Sequence, residues 1–128
     1  MQENHFERNG YRLTDRRDAF DLVRAHQLLS ASYWSPGIPQ ATVAKAAANA
    51  WTFCLLSPDG QFVGMARFIT DKATFAYLAD VIIDPAHRGH GLGQWLVRCL
   101  HSLPEIKACR RLMLMTADAQ PLYAKIGY

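Results

Sequence analysis

The chain of 128 residues has little that would cross-link it, anchor it in a membrane or fasten it to nucleic acid. Its three cysteines, Cys54, Cys99 and Cys109, form no C-x-x-C pair and no metal-ligand spacing, which argues against a disulfide framework and a metal site. Cys54 sits in an apolar run and Cys99 on an apolar helical stripe, so both are expected as buried thiols. No stretch reaches the roughly 18 apolar residues of a membrane span, so no membrane partner is expected. Met1 to Asp18 is polar and lacks the apolar centre of a secretory signal, which makes the cytoplasm the expected location. The net charge is only +3, and the arginines are scattered rather than banded with aromatics. No nucleic-acid partner is expected on that pattern. A small anionic ligand suits so mild a positive excess.

What is present is enough for one core. Half of the residues are hydrophobic and 20% are charged, an ordinary balance for a globular domain. No repeat or linker divides them, so residues 1–128 read as a single domain. Tyr11 to Thr14 is a weakly signalled first strand. Asp18 opens a predicted helix with Ala19, Leu22, Val23, His26 and Leu29 at helical spacing, ended by the Pro- and Gly-rich loop Ser32 to Pro39. An alanine-rich helix is predicted over Gln40 to Asn49. Strands follow at Trp51 to Leu56, Gln61 to Thr70 and Thr74 to Ile83, with turns at Ser57 to Gly60 and Asp71-Lys72, so antiparallel pairing is expected.

After Asp84-Pro85 the pattern changes. A helix from Gly91 carries Leu92, Trp95, Leu96, Cys99, Leu100 and Leu103 on one stripe, and Pro104 marks its end. A strand at Leu112 to Met115, parallel to the one before the turn, and a short helix over Ala119 to Lys125 closed by Gly127 complete the expectation. The fold class is α/β (α+β): a mixed sheet, antiparallel in its N-terminal half and parallel afterwards, with helices on both faces. A ligand crevice belongs at the step between the halves.

Arg88, Gly89, Gly91 and Gly93 crowd that step. Glycines let several backbone N–H groups point into one space, and the helix behind them adds the positive end of its dipole, so the turn suits a phosphorylated ligand. A P-loop is excluded because Gln94-Trp95, not Lys-Ser/Thr, follows Gly93. A dinucleotide fingerprint needs G-x-G-x-x-G opening a parallel sheet, and neither condition is met. What remains is R-x-x-G-x-G at a strand-to-helix junction, carried by Arg88, Gly91 and Gly93. Alone, such a turn is equally a helix start that needs positive φ.

On these residues the chain resembles the GNAT superfamily of acetyl-CoA-dependent N-acetyltransferases, from about Leu28 to Tyr128. VIIDPAHRGHGLGQWLV is similar to its pyrophosphate-binding motif, and LYAKIGY (Leu122 to Tyr128) to its later motif, usually written LYEKxGF. SYWSPGIP, VGMARFITD and TFAYLADV further resemble a small bacterial subgroup of undefined substrate. The resemblance implies acetyl-CoA as co-substrate, no metal, and direct transfer to a small-molecule or peptide amine. It implies that main-chain groups of Arg88, Gly89, His90, Gly91, Leu92 and Gly93 hold the pyrophosphate. Val81, Ile82 and Ile83 would bond the pantetheine arm as an added strand, one N–H of Val81 or Ile82 polarising the thioester.

Tyr123 is implied as the general acid for the departing thiolate, a phenol being protonated at neutral pH; a tyrosine on a short helix otherwise simply packs. Asp80 is the candidate base. Strict alternation would place it beside Leu78 and Ile82 on an apolar face, where a carboxylate becomes more basic; the alternative is a structural Asp bonded to loop amides. Tyr33 and Trp34 either wall the acceptor site or pin their loop to the core. His26, His87 and His90 are weaker candidates. The superfamily continues into further C-terminal strands, whereas this sequence stops at Tyr128. That implies a homodimer through an uncovered sheet edge, a shortened chain or a weakened fold. The rival function is a non-catalytic acyl-CoA-binding or protein-interaction domain of the same fold.

Overall fold

The computed structural model describes residues 3–114. The expectations for Tyr123, for Leu122 to Tyr128 and for a helix over Ala119 to Lys125 lie outside the described residues. Six strands form one sheet in chain order: β1 (His5–Arg8), β2 (Tyr11–Thr14), β3 (Trp51–Leu56), β4 (Phe62–Thr70), β5 (Phe75–Ile83) and β6 (Arg111–Leu114). The first five pair antiparallel. β6 pairs parallel to β5, with Phe75 opposite Arg111 and Leu78 opposite Leu114. The mixed sheet therefore follows the sequence expectation.

Among the described residues four helices cover its two faces: α1 (Leu22–Ser30), α2 (Gln40–Ala48), α3 (Leu92–His101) and α4 (Pro104–Lys107). Alternation along β3 divides the core. Phe53 and Leu55 pack with Leu96, Leu100 and Ile106 of α3 and α4, while Cys54 between them packs with Ala25, Leu28, Leu29 and Val43 of α1 and α2. Leu96 and Leu100 are fully buried, each contributing about 1.5–3 kcal/mol by leaving water.

Three elements differ from expectation. β1 was absent from it, although Asn9-Gly10 is a strong two-residue hairpin signal. Both residues take positive φ, 52° and 84°, as a type I′ turn requires. α1 begins at Leu22 rather than Asp18, because the Asp21 carboxylate accepts from the Arg24 N–H at 3.1 Å and so caps the helix there. Its buried stripe is Ala25, Leu28 and Leu29, and Val23 is 56% exposed. Pro104 does not only follow α3; it starts α4, where a missing N–H costs nothing.

Candidate functional site

The glycine turn hangs between β5 and α3 by side-chain braces. Asp84 accepts from the Ala86 N–H at 2.9 Å, capping the 3-10 turn Pro85–His87, and its other oxygen pairs with the Arg24 guanidinium of α1. Tyr11 and His87 Nδ1 share a hydrogen bond of 2.9 Å, tying the turn to β2. Arg88 is a brace as well: its N–H closes on Pro85 O at 3.3 Å and its Nε donates to Ile83 O at 3.0 Å. Its own N–H is thus engaged, which narrows the donors for a ligand to those from Gly89 onward.

Gly89 and Gly91 then take φ of 88° and 70°, a conformation L side chains rarely adopt. Gly91 is the N-cap of α3 and brings no capping side chain, so the first N–H groups of this ten-residue helix are left for a ligand. Leu92 anchors the start in the core, whereas Gly89, His90 and Gly91 are exposed. His26, by contrast, is engaged elsewhere, its Nε2 bonded to Ile38 O at 2.9 Å.

A bulge in β5 makes the second part. Met65 pairs with Ile82 and Arg67 with Ala79, so the single residue Ala66 faces both Asp80 and Val81. Asp80 takes a φ of 54° to achieve this. The alternation expected of β5 therefore fails here. Leu78 packs with the α3 cluster but Ile82 with the α1–α2 cluster, and Asp80 does not share an apolar face with both. β6 accompanies β5 from Phe75 to Leu78, Leu114 being the last described residue of β6.

Side chains build the third part. Asp80 Oδ2 accepts from Arg67 Nε at 2.6 Å and Oδ1 from Trp34 Nε1 at 3.0 Å. Its partners are thus side chains, not the loop amides of the structural alternative. The pair is largely withdrawn from water, the Arg67 and Asp80 side chains being 17% and 12% exposed. Both line a cavity of about 100 Å³ with Leu29, Ile38, Val43 and Met65. Tyr33 and Trp34 lie edge to face at 5.0 Å and are 61% and 41% exposed, standing out of the core beside that cavity. A wider cleft bordered by Asp15, Trp51 and Lys72 lies at the opposite end of the sheet from the glycine turn. Burial pushes the Cys54 thiol up to about 12 and the Cys99 thiol up to about 11, so neither is a thiolate nucleophile near neutral pH.

The fold that carries this site has counterparts among known proteins. The sequence profile of the acetyltransferase (GNAT) family matches residues 20–128. The chain belongs to this family. A crystal structure of a GNAT-family protein from Xanthomonas campestris pv. campestris superposes with a TM-score of 0.87 at 36% identity, covering 92% of this chain and 83% of that one. A GNAT acetyltransferase from Elizabethkingia anophelis with acetyl-CoA bound shares the fold at a TM-score of 0.70 and 10% identity, over 94% of this chain and 76% of that one.

Among curated relatives, a Gibberella zeae protein that carries the name of an acetyltransferase is 45% identical over 64 residues, 49% of this chain and 36% of its own. A glucosamine 6-phosphate N-acetyltransferase from Trypanosoma brucei brucei is 31% identical over 78 residues, 56% of this chain and 53% of its own. The GNAT chain thus spans about half or less of the curated relatives it matches.

Two residues at this site escaped the sequence reading. Arg67 is an isolated arginine within a strand, and only its register opposite the bulge brings it to Asp80. Arg8 lies on β1, and the Asn9-Gly10 turn was the signal that would have placed it at this end of the sheet.

Proposed function

We propose that this GNAT protein moves an acetyl group from acetyl-CoA directly to a primary amine of a small molecule or peptide. One observation carries the reading: the bulged end of β5, Asp80 to Ile83, leads within a few residues into the uncapped start of α3. Backbone donors at the strand end and at the helix start suit an extended arm that ends in a pyrophosphate. Bound acetyl-CoA would supply an activated acetyl thioester.

The chain's own groups do the rest. N–H groups from Gly89 to Gly93 bind the pyrophosphate, and Val81 to Ile83 orient the arm. An N–H of Val81 or Ile82 donates to the acetyl oxygen, a contribution of about 3 kcal/mol for a well-aimed donor. Asp80 receives the amine proton as the N–C bond forms; two bonds from Arg67 and Trp34 leave its carboxylate further acceptor capacity. Tyr123 gives its proton to sulfur as the C–S bond breaks. Tyr33 and Trp34 wall the acceptor, their faces suited to an alkyl chain or a cation.

Calorimetric titration with acetyl-CoA, beside adenosine diphosphate as control, tests the binding step. An amine screen read by released thiol tests the chemistry, and amino-sugar phosphates belong in it because the trypanosomal relative bears that substrate's name. Tyr123→Phe is expected to slow turnover by roughly 10²–10⁴-fold with acetyl-CoA affinity retained. Tight binding without thiol release from any amine would favour the non-catalytic domain instead.

A further inference from the structure

We infer that Arg8, on the hairpin that precedes the family match, contributes a side-chain cation to the pyrophosphate of the bound coenzyme. The inference rests on the acetyl-CoA reading above and names a residue outside the matched residues 20–128. Its guanidinium nitrogens lie 3.8 and 3.9 Å from where a Cβ on Gly91 would stand, over the start of α3. The placement follows from packing. Phe6, two residues earlier on the same face of β1, packs into the cluster that holds Trp95 and Cys99, and Gly91 lies one helical turn before Trp95 on that helix face. Arg8 therefore extends the contact toward the helix start.

Electrostatics supply the second observation. Arg16, Arg24 and Arg67 each pair with a carboxylate, whereas Arg8, like Arg12, Arg17 and Arg98, has no ion-pair partner among the described residues. It stands instead beside the positive end of a helix dipole, an arrangement of like sign that an anion would relieve. Its charge is also felt at Cys99, two turns along α3, where it partly offsets the effect of burial on the thiol. The guanidinium thus lies close to the uncapped start of α3. A planar fork suits phosphate oxygens well.

The test titrates wild type, Arg8→Ala and Arg8→Lys with CoA and with dephospho-CoA, which lacks the 3′-phosphate. Arg8→Ala is expected to weaken both ligands about tenfold, as for one charge-assisted hydrogen bond. Arg8→Lys should recover part of the loss, and the wild-type advantage should shrink at about 0.5 M salt. Melting temperatures close to wild type would separate this from a packing role, since Arg8 is exposed. Equal affinity in Arg8→Ala and wild type would overturn the inference while leaving acetyl-CoA binding intact. A loss seen with CoA but not with dephospho-CoA would also overturn it, assigning Arg8 to the 3′-phosphate. If wild type binds neither ligand, the acetyl-CoA reading fails and this inference with it.

Discussion

The glycine turn and the Asp80–Arg67–Trp34 cluster meet at β5 but are made of opposite materials. At the turn the side chains look away from the ligand space: Arg88 braces Ile83 O, Leu92 enters the core and His87 bonds Tyr11. What the turn itself offers a ligand is main chain, held open by positive φ at Gly89 and Gly91. At the cluster the polar groups are side chains, Asp80 accepting from Arg67 and from Trp34. A main-chain site is set by conformation and suits a ligand common to a whole family. A side-chain site is set by residue identity and can differ from one member to the next.

Breaking either half should have consequences of different kinds. The largest effect is expected from Asp80→Ala, which leaves the Arg67 guanidinium without its carboxylate in a largely dry place. A loss of about 3–5 kcal/mol in urea unfolding is expected, as when one partner of a buried pair is removed. Asp80→Asn keeps the shape and the bond from Trp34; it should retain acetyl-CoA affinity while turnover falls, if the carboxylate takes the proton. At the turn, Gly91→Glu sets a carboxylate against the phosphates on a backbone with φ of 70°. Affinity for acetyl-CoA should fall by at least about 100-fold, the equivalent of one or two charged hydrogen bonds, with the fold retained. An unchanged calorimetric affinity would sink the cradle assignment.

These two halves were unequally legible in the sequence. The turn declared itself through Gly89, Gly91 and Gly93, because glycine density is the trace that positive φ and close approach leave behind. The order of strands from β3 to β6 was equally plain, through apolar runs and the SPDG turn. Asp80 was singled out, but on an alternation that the bulge interrupts. A one-residue insertion in a ladder depends on register with β4, and no local pattern around Asp80 announces it. Arg67 and Arg8 were invisible for a related reason. Each is one arginine among several, and only pairing across strands decides which of them reaches a site.

Gly64 separates close approach from open space. A Cβ there would lie 2.7 Å from Ile82 O and 3.1 Å from the Ile83 side chain, whereas one on Gly89 would meet nothing. Gly64→Ala is therefore expected to cost about 1–3 kcal/mol as an overpacked core position. It should also disturb the end of β5, so acetyl-CoA affinity would fall with stability. Equal denaturation midpoints for Gly64→Ala and wild type would show that β4 and β5 can part cheaply.

The smallest expected effect is on acid stability, and it also tells the two ends of the sheet apart. The Ala86 N–H bond, with Arg24, holds Asp84 below the usual carboxylate range. At the far end burial pushes Asp15 up, but bonds from Asn4 and Trp51 outweigh it and the net shift is again downward. Both groups thus bind fewer protons folded than unfolded below the ordinary aspartate value of about 3.9, and stability rises with pH through that window. Their contribution is complete above about pH 5 and is lost as pH falls through the depressed values. Urea midpoints should be level from about pH 7 to 5 and decline below about 4. Asp84→Asn should lower the midpoint at neutral pH yet flatten the acid decline, because the Arg24 brace no longer depends on a proton. An acid decline as steep as wild type in Asp84→Asn would assign the loss to the far end, to Asp15 and to Asp71, which bonds from Thr74, Ala73 and Phe75 also hold below the usual range, leaving the cradle anchored in acid.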